Sequence, residues 1–234
     1  TDEMTKMKTE TEENKGGMAA QYIPQLATVN VNQYGVSVCT IDGQRFGCGA
    51  SNVTFCVQST MKPLAYAMVL EEVGEAKVHK HVGREPSGLN FNERALNSKQ
   101  LPHNPMINAG AIMVSALLRP DLAMSDRWDV VMNTWKRLSN REPGFANSVY
   151  LSEAATADRN WCLGFMMKEA KAFPAGTDLK DALEFYFMMC SINVDTEMMA
   201  MIAATLANGG VNPLTGDRVF SARTVRNTLS LMAS

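Results

Sequence analysis

The stretch Phe55-Cys-Val-Gln-Ser-Thr-Met-Lys-Pro-Leu-Ala-Tyr-Ala-Met-Val-Leu70 frames the rest of the chain. Leu64 and Met68 recur at helical spacing, which predicts a buried helix. Pro63 sets its beginning. Proline lacks an N–H and crowds the carbonyl four residues back, so it belongs in a first turn. The helix therefore starts near Ser59, with Lys62 three residues on. Positions i and i+3 share a helix face, so the Ser59 hydroxyl and the Lys62 amine can meet. A serine hydroxyl becomes a nucleophile when a base takes its proton, and a lysine can be that base once burial lowers its pKa. The N–H groups of the helix start suit a developing negative charge. An N-cap serine followed by a solvated lysine gives the same spacing, and about one such pair is expected by chance in this composition.

Composition bounds the rest. A chain of 234 residues, 46% hydrophobic, can bury a proper core as one large domain or as a domain with a satellite. A formal net charge of −2 gives no electrostatic reason to expect nucleic acid or an anionic membrane as partner. The apolar runs 109–118 and 198–207 are too short to span a bilayer. Neither a signal peptide nor a transit peptide is recognisable at the start. Five cysteines, an odd number without C-x-x-C spacing, fit free thiols in a reducing compartment. The three histidines form no metal motif.

On the N-terminal side, residues 1–17 read as a frayed polar leader, helical in part, and 18–234 as the body. Met18 to Thr28 has helical spacing interrupted by Pro24. Tyr22 lies just before it, and composition alone reads it as a core or capping aromatic. Asp42-Gly43 between the β-formers of 34–41 and 44–48 predicts a hairpin. Two strands do not stand alone, so the sheet needs others.

On the C-terminal side, 74–105 is turn-rich and weakly structured, which suggests a gating or subunit-contact loop. A helix apolar nearly all round follows over 106–118, with Asn108 near its start as either an N-cap or a ligand group. Ser125 to Leu138 reads as an amphipathic helix with Trp128, Val131, Met132 and Trp135 on one face, and 139–149 as a loop. Tyr150 to Ala170 reads as one helix, with Glu153 and Asn160 two turns apart on one face. They could hold a small polar ligand, or be a solvated face with a capping carboxylate. Leu179–Cys190 is an apolar helix whose Tyr186 hydroxyl wants a partner if buried. Further helices are expected over Thr196–Ala207, stopped by Asn208-Gly209-Gly210, and from a Ser221 cap to the chain end. The count is two strands and six or so helices.

With these residues in hand, the chain resembles the glutaminases of the animal kidney and liver type. The likeness runs over 18–234, through Tyr22-Ile-Pro-Gln-Leu-Ala27, the Ser59 segment, Pro102-His-Asn-Pro-Met-Ile-Asn-Ala-Gly-Ala-Ile112, Asp158-Arg-Asn160 and Ala203-Ala-Thr-Leu-Ala-Asn-Gly-Gly210. The resemblance implies an α/β fold of the serine β-lactamase and transpeptidase type, a helical body against a mixed sheet. It implies hydrolysis of the L-glutamine side-chain amide to L-glutamate and ammonia through a serine acyl-enzyme. In that likeness Ser59 is the nucleophile and Lys62 its base, while Tyr22, Asn108, Glu153, Asn160 and Tyr186 hold the substrate. Free glutamine carries an ammonium, which a carboxylate such as Glu153 suits, and a carboxylate, which amide and phenol donors suit. The resemblance further implies no cofactor, phosphate as activator, a homotetramer, and a mitochondrial address (cytoplasmic without a transit peptide). The family continues past Ser234 with a tyrosine and a Lys-Ser-Gly-type strand. No Lys-[Ser/Thr]-Gly occurs here. The expectation is therefore a catalytic domain incomplete at its C-terminus, with little turnover from these residues alone. The loop Gly88–Asn97 is similar to the family's gating segment but more polar, with Arg94 and Ala95. Two rivals remain: another serine amidohydrolase of the β-lactamase or penicillin-binding type, and a non-catalytic assembly or regulatory subunit.

Overall fold

The computed structural model describes residues 2–234. It is helix-rich, with two small sheets, and its contacts divide it into two units. One comprises Thr1–Val57, Met132–Ala155 and Ser191–Val219; the other comprises Gln58–Val131, Thr156–Cys190 and Phe220–Ser234.

The first unit begins with helix α1 (Asp2–Glu12), so most of the expected leader is helical. It packs against the hairpin that follows, and Thr11 Oγ1 shares a 2.7 Å hydrogen bond with the Tyr34 hydroxyl. Pro24 opens only one turn, α2 (Pro24–Ala27), in place of a longer helix from Met18. The hairpin forms as the Asp-Gly signal predicts: β1 (Gly35–Cys39) pairs antiparallel with β2 (Arg45–Gly49), with Val38 opposite Phe46. Gly43 takes the left-handed conformation of the turn, φ 86°. Two further strands of this unit, β3 (Phe55–Cys56) and β4 (Gly144–Phe145), flank a third, β5 (Ile192–Val194), in a separate sheet. None of these three was expected, and β4 replaces part of the 139–149 loop. They are two or three residues long, so period-2 alternation has no room to show. Helix α7 (Asn147–Ala155) ends this middle segment, and α10 (Thr196–Ala207) packs on β1. Asp195 caps α10 by accepting from Met198 N–H at 2.8 Å.

The second unit opens with a 3₁₀ turn (Gln58–Met61) that feeds α3 (Lys62–Val73). Pro63 sits in the first turn of α3, as its chemistry requires. A short α4 (Glu75–Val78) is the one named element between α3 and α5 (Asn108–Leu117), so 79–107 is loop. α5 packs against α3, α8 (Asp158–Glu169) and α9 (Leu179–Cys190), and α11 (Ala222–Ala233) packs against α3. Ser221 caps α11 and is itself tied to Glu71 of α3. Burial pushes the Glu71 carboxyl up, but donors from Thr224 and Ser221 outweigh it and hold it below the usual range.

One expectation is corrected, and one buried cation is added. The segment 150–170 is not one helix: α7 stops at Ala155, Ala157 adopts φ −87°, ψ 16°, and Asp158 starts α8. Glu153 and Asn160 therefore share no helix face. On α6 (Met124–Ser139), Val131 and Trp135 are buried as expected, but so is Arg127, one turn before Val131. Hydrophobic periodicity carries no signal for the Asp181 carboxylate that receives Arg127.

Candidate active site

Residues from three helices and one loop meet in the second unit. Gln58, just before Ser59, has a left-handed backbone, φ 47°, unusual for a residue with a side chain. Its side chain donates to the Cys190 carbonyl of α9, which helps hold the turn. Ser59 is exposed while Lys62, at the head of α3, is only 3% exposed. This pairs an accessible hydroxyl with a buried amine. Both line a cavity of about 460 Å³, together with Ser87, Asn104, Met106 and Leu231.

Asn108 is the first residue of α5, and Ile107 occupies the cap position without a side-chain cap bond. Its amide is not an N-cap. It accepts from Lys62 Nζ at 2.7 Å and donates through Nδ2 to Asn160 Oδ1 at 3.1 Å. The backbone N–H of Asn108 donates to the Phe91 carbonyl at 2.8 Å, and the Phe91 ring stands 5.7 Å from Lys62 Nζ. Tyr186 on α9 is 2% exposed, with its ring edge-on to Phe187.

The structure thus brings Lys62, Asn108 and Asn160 into one hydrogen-bonded chain, and Ser59 into the cavity that Lys62 lines. Tyr22 and Glu153 belong to the first unit, Tyr22 at 64% exposure and Glu153 buried on α7. Sequence reasoning missed Phe91 and the Gln58 backbone. A lone phenylalanine in a polar loop gives no signal, and neither does a glutamine that adopts a glycine-like φ.

The glutaminase family model matches residues 17–234. The chain belongs to the glutaminase family. It is 48% identical over 223 residues to the mitochondrial liver isoform of glutaminase from Mus musculus, covering 95% of this chain and 37% of that one. Its identity to the glutaminase of Corynebacterium glutamicum is 38% over 219 residues, 93% of this chain and 52% of that one. Among solved structures, a probable glutaminase, ybaS, superposes with a TM-score of 0.91 at 31% identity, covering 99% of this chain and 74% of that one. A structure of Mglu in its native form gives 0.91 at 32% identity, over 99% and 56%. The chain therefore spans little more than a third of the mouse glutaminase it matches. No helix among the described residues is long and apolar enough to cross a membrane.

Proposed function

We propose that this chain supplies the serine–lysine part of a glutaminase active site, which hydrolyses the side-chain amide of L-glutamine to L-glutamate and ammonia. The observation that carries this is the exposed Ser59 beside the buried Lys62, whose amine donates to Asn108. A neutral amine that gives one N–H to Asn108 keeps its lone pair for a proton. Lys62 takes the Ser59 proton as Oγ attacks the amide carbon. The tetrahedral intermediate places its oxyanion at the Ser59 backbone N–H, and the proton passes to the leaving nitrogen as ammonia departs. Water then cleaves the glutamyl ester with the same amine as base. Asn160 uses its oxygen on Asn108, which leaves its NH₂ for the substrate carboxylate. Asn108, Tyr186, Tyr22 and Glu153 keep the substrate-binding roles that the family resemblance gives them, with Glu153 for the ammonium. The reading also carries the serine β-lactamase-like fold, a homotetramer, a mitochondrial address, no cofactor, and phosphate as activator.

The test is a glutamine-to-glutamate assay on the protein that carries these residues, with Ser59→Ala, Lys62→Met and Glu153→Gln. All three should lose turnover, and Ser59→Ala should also fail to trap a covalent acyl-enzyme. Full activity in Ser59→Ala would reject the serine mechanism. Retained hydrolysis of a lactam by Glu153→Gln would favour a β-lactamase-type amidohydrolase instead.

A further inference from the structure

A separate cavity, about 470 Å³, lies in the first unit between the β1–β2 hairpin and α10. Its lining includes Ser37, Cys39, Arg45, Gly47, Glu197 and Met201. We propose that it binds a small zwitterion whose ammonium and carboxylate are held apart by a short apolar chain, an ω-amino acid. Glu197 and Ser37 take the ammonium, and Arg45 takes the carboxylate. The proposal rests on this cavity alone and not on the glutaminase reading.

The hairpin register sets the two ends of the cavity. Ser37 stands opposite Gly47, and Cys39 stands opposite Arg45. Side chains alternate along a strand and directly opposite residues share a face, so these four positions lie on one face. That face is turned to α10: Ser37 Oγ lies 2.7 Å from Thr196 Oγ1, and Cys39 Sγ lies 4.0 Å from Met201 Sδ. Glu197 reaches over Gly47. A Cβ at Gly47 would stand 2.9 Å from Glu197 Oε1 and 2.8 Å from Ser51 Oγ, so the missing side chain is what admits the carboxylate. Acceptors thus gather at the Ser37–Gly47 pair. Arg45 leaves β2 two residues away, about 7 Å along the strand.

The bonds already made decide which charges are open. Arg45 is exposed, and its guanidinium makes no hydrogen bond or ion pair among the described residues. Thr196 Oγ1 donates to the Ser51 carbonyl at 3.0 Å, so Ser37 donates to Thr196 and keeps its own lone pairs. Glu197 Oε1 accepts from Ser51 Oγ at 3.0 Å, while Oε2 stands 3.9 Å from Arg141 Nη1, too far for a hydrogen bond. Arg141, the other cation in the lining, is held at 2.7 Å by the fully buried Asp195. Asp42 of the hairpin is taken by Thr40 and Gln44. Burial pushes the Cys39 thiol up, so it remains a neutral S–H. One cation and one carboxylate therefore stay open, at opposite ends. A simple anion would meet Arg45 but leave Glu197 unanswered, and a simple cation would do the reverse. An α-amino acid carries both charges on one carbon and is too short to span the ends. The sulfurs of Cys39 and Met201 offer a soft, apolar surface that suits the methylenes of a longer chain.

The experiment titrates the protein with 5-aminopentanoate and, separately, with its isomer norvaline and with pentanoate. It is read by calorimetry and by the rate at which N-ethylmaleimide alkylates Cys39. Saturable binding of 5-aminopentanoate with protection of Cys39 is expected, tighter than either of the others by about tenfold. Arg45→Ala should weaken it by about tenfold, and the exposed, unpaired Arg45 can be removed without loss of a contact. Arg45→Glu should exchange the preference, losing 5-aminopentanoate and gaining 1,5-diaminopentane, a gain that damage to the fold would not produce. No saturable binding of 5-aminopentanoate would overturn the proposal. So would equal binding of pentanoate or norvaline, or full affinity in Arg45→Ala. Binding that leaves the Cys39 alkylation rate unchanged would also overturn it, because the ligand would then sit elsewhere.

Discussion

Lys62 and Arg127 are both long cations buried in the helical unit, at 3% and 2% exposure, yet their surroundings differ. Around Arg127 the structure places the Asp181 carboxylate, the carbonyls of Ser115 and Leu118, and the Phe185 ring 4.0 Å beneath the guanidinium. A charge met from every side is fixed, and fixing it joins α6, α9 and the end of α5. Lys62 Nζ donates to the Asn108 amide, stands 5.7 Å from the Phe91 ring, and lines a cavity that the exposed Ser59 also lines. An amine that opens on a cavity beside an accessible hydroxyl is placed to exchange a proton, whereas a guanidinium enclosed by carbonyls, a carboxylate and a ring is placed to hold helices together. The difference separates a structural cation from a chemical one, although the two are equally buried.

The sharpest test of that contrast replaces each by methionine. Lys62→Met should lower glutamine turnover by about 10³-fold or more while changing unfolding free energy by no more than about 1 kcal/mol. Arg127→Met should cost about 3 kcal/mol of stability, because two buried carbonyls lose their donors and Asp181 loses its counter-ion. Kinetics and guanidinium denaturation on both variants read this out. A Lys62→Met variant as unstable as Arg127→Met would erase the distinction.

What could be read beforehand divides along the same line. Pro63, Asp42-Gly43, Asn208-Gly209-Gly210 and Ser221 are local punctuation, and the structure shows a helix start, a hairpin, a helix stop and a cap at those places. Ser59 and Lys62 were legible as a pair because three-residue spacing is also local. The partners of buried polar groups were not. Asn108 meets Lys62 across 46 residues and Asn160 across 52, and Arg127 meets Asp181 across 54. Nothing in residue order encodes such distances. The break between α7 and α8 was equally hidden, since Thr156-Ala157 contains neither glycine nor proline.

A smaller effect comes from the backbone beside the site. Gly110 lies on α5 where the helix crosses the loop that lines the Ser59 cavity. A Cβ there would stand 1.8 Å from the Asn104 carbonyl oxygen. Backbone cannot rotate away as a side chain can, so either α5 or the loop has to shift. Gly110→Ala should cost about 2–3 kcal/mol and should also raise KM, because Asn108 and Asn104 move with the two elements. A stable variant with normal kinetics would show that the site tolerates displacement. The precise alignment of Lys62 with Asn108 would then matter less than the contrast with Arg127 requires.

The smallest effect concerns a half-buried group, His79, which tests whether a neutral polar residue can be fixed as firmly as Arg127. Its Nδ1–H donates to the Val82 carbonyl at 2.9 Å, and its Nε2 accepts from the Tyr66 hydroxyl at 2.9 Å. Burial lowers its pKa from the ordinary 6.5, and the nearby Arg84 charge adds to this against Glu75. The folded protein therefore binds the proton more weakly than the unfolded chain does. The stability this contributes is complete above the unfolded value and is lost as pH falls through it toward the folded value. Denaturation midpoints should drop on acidification from about pH 7 to pH 5 in the wild type, and drop less in His79→Gln. Carboxylates elsewhere also lose their favourable interactions in acid, so only the difference between the two proteins isolates His79. Identical slopes would mean that the Tyr66–His79–Val82 chain accommodates the proton without loss, and that hydrogen bonding alone does not fix the charge state of a half-buried group.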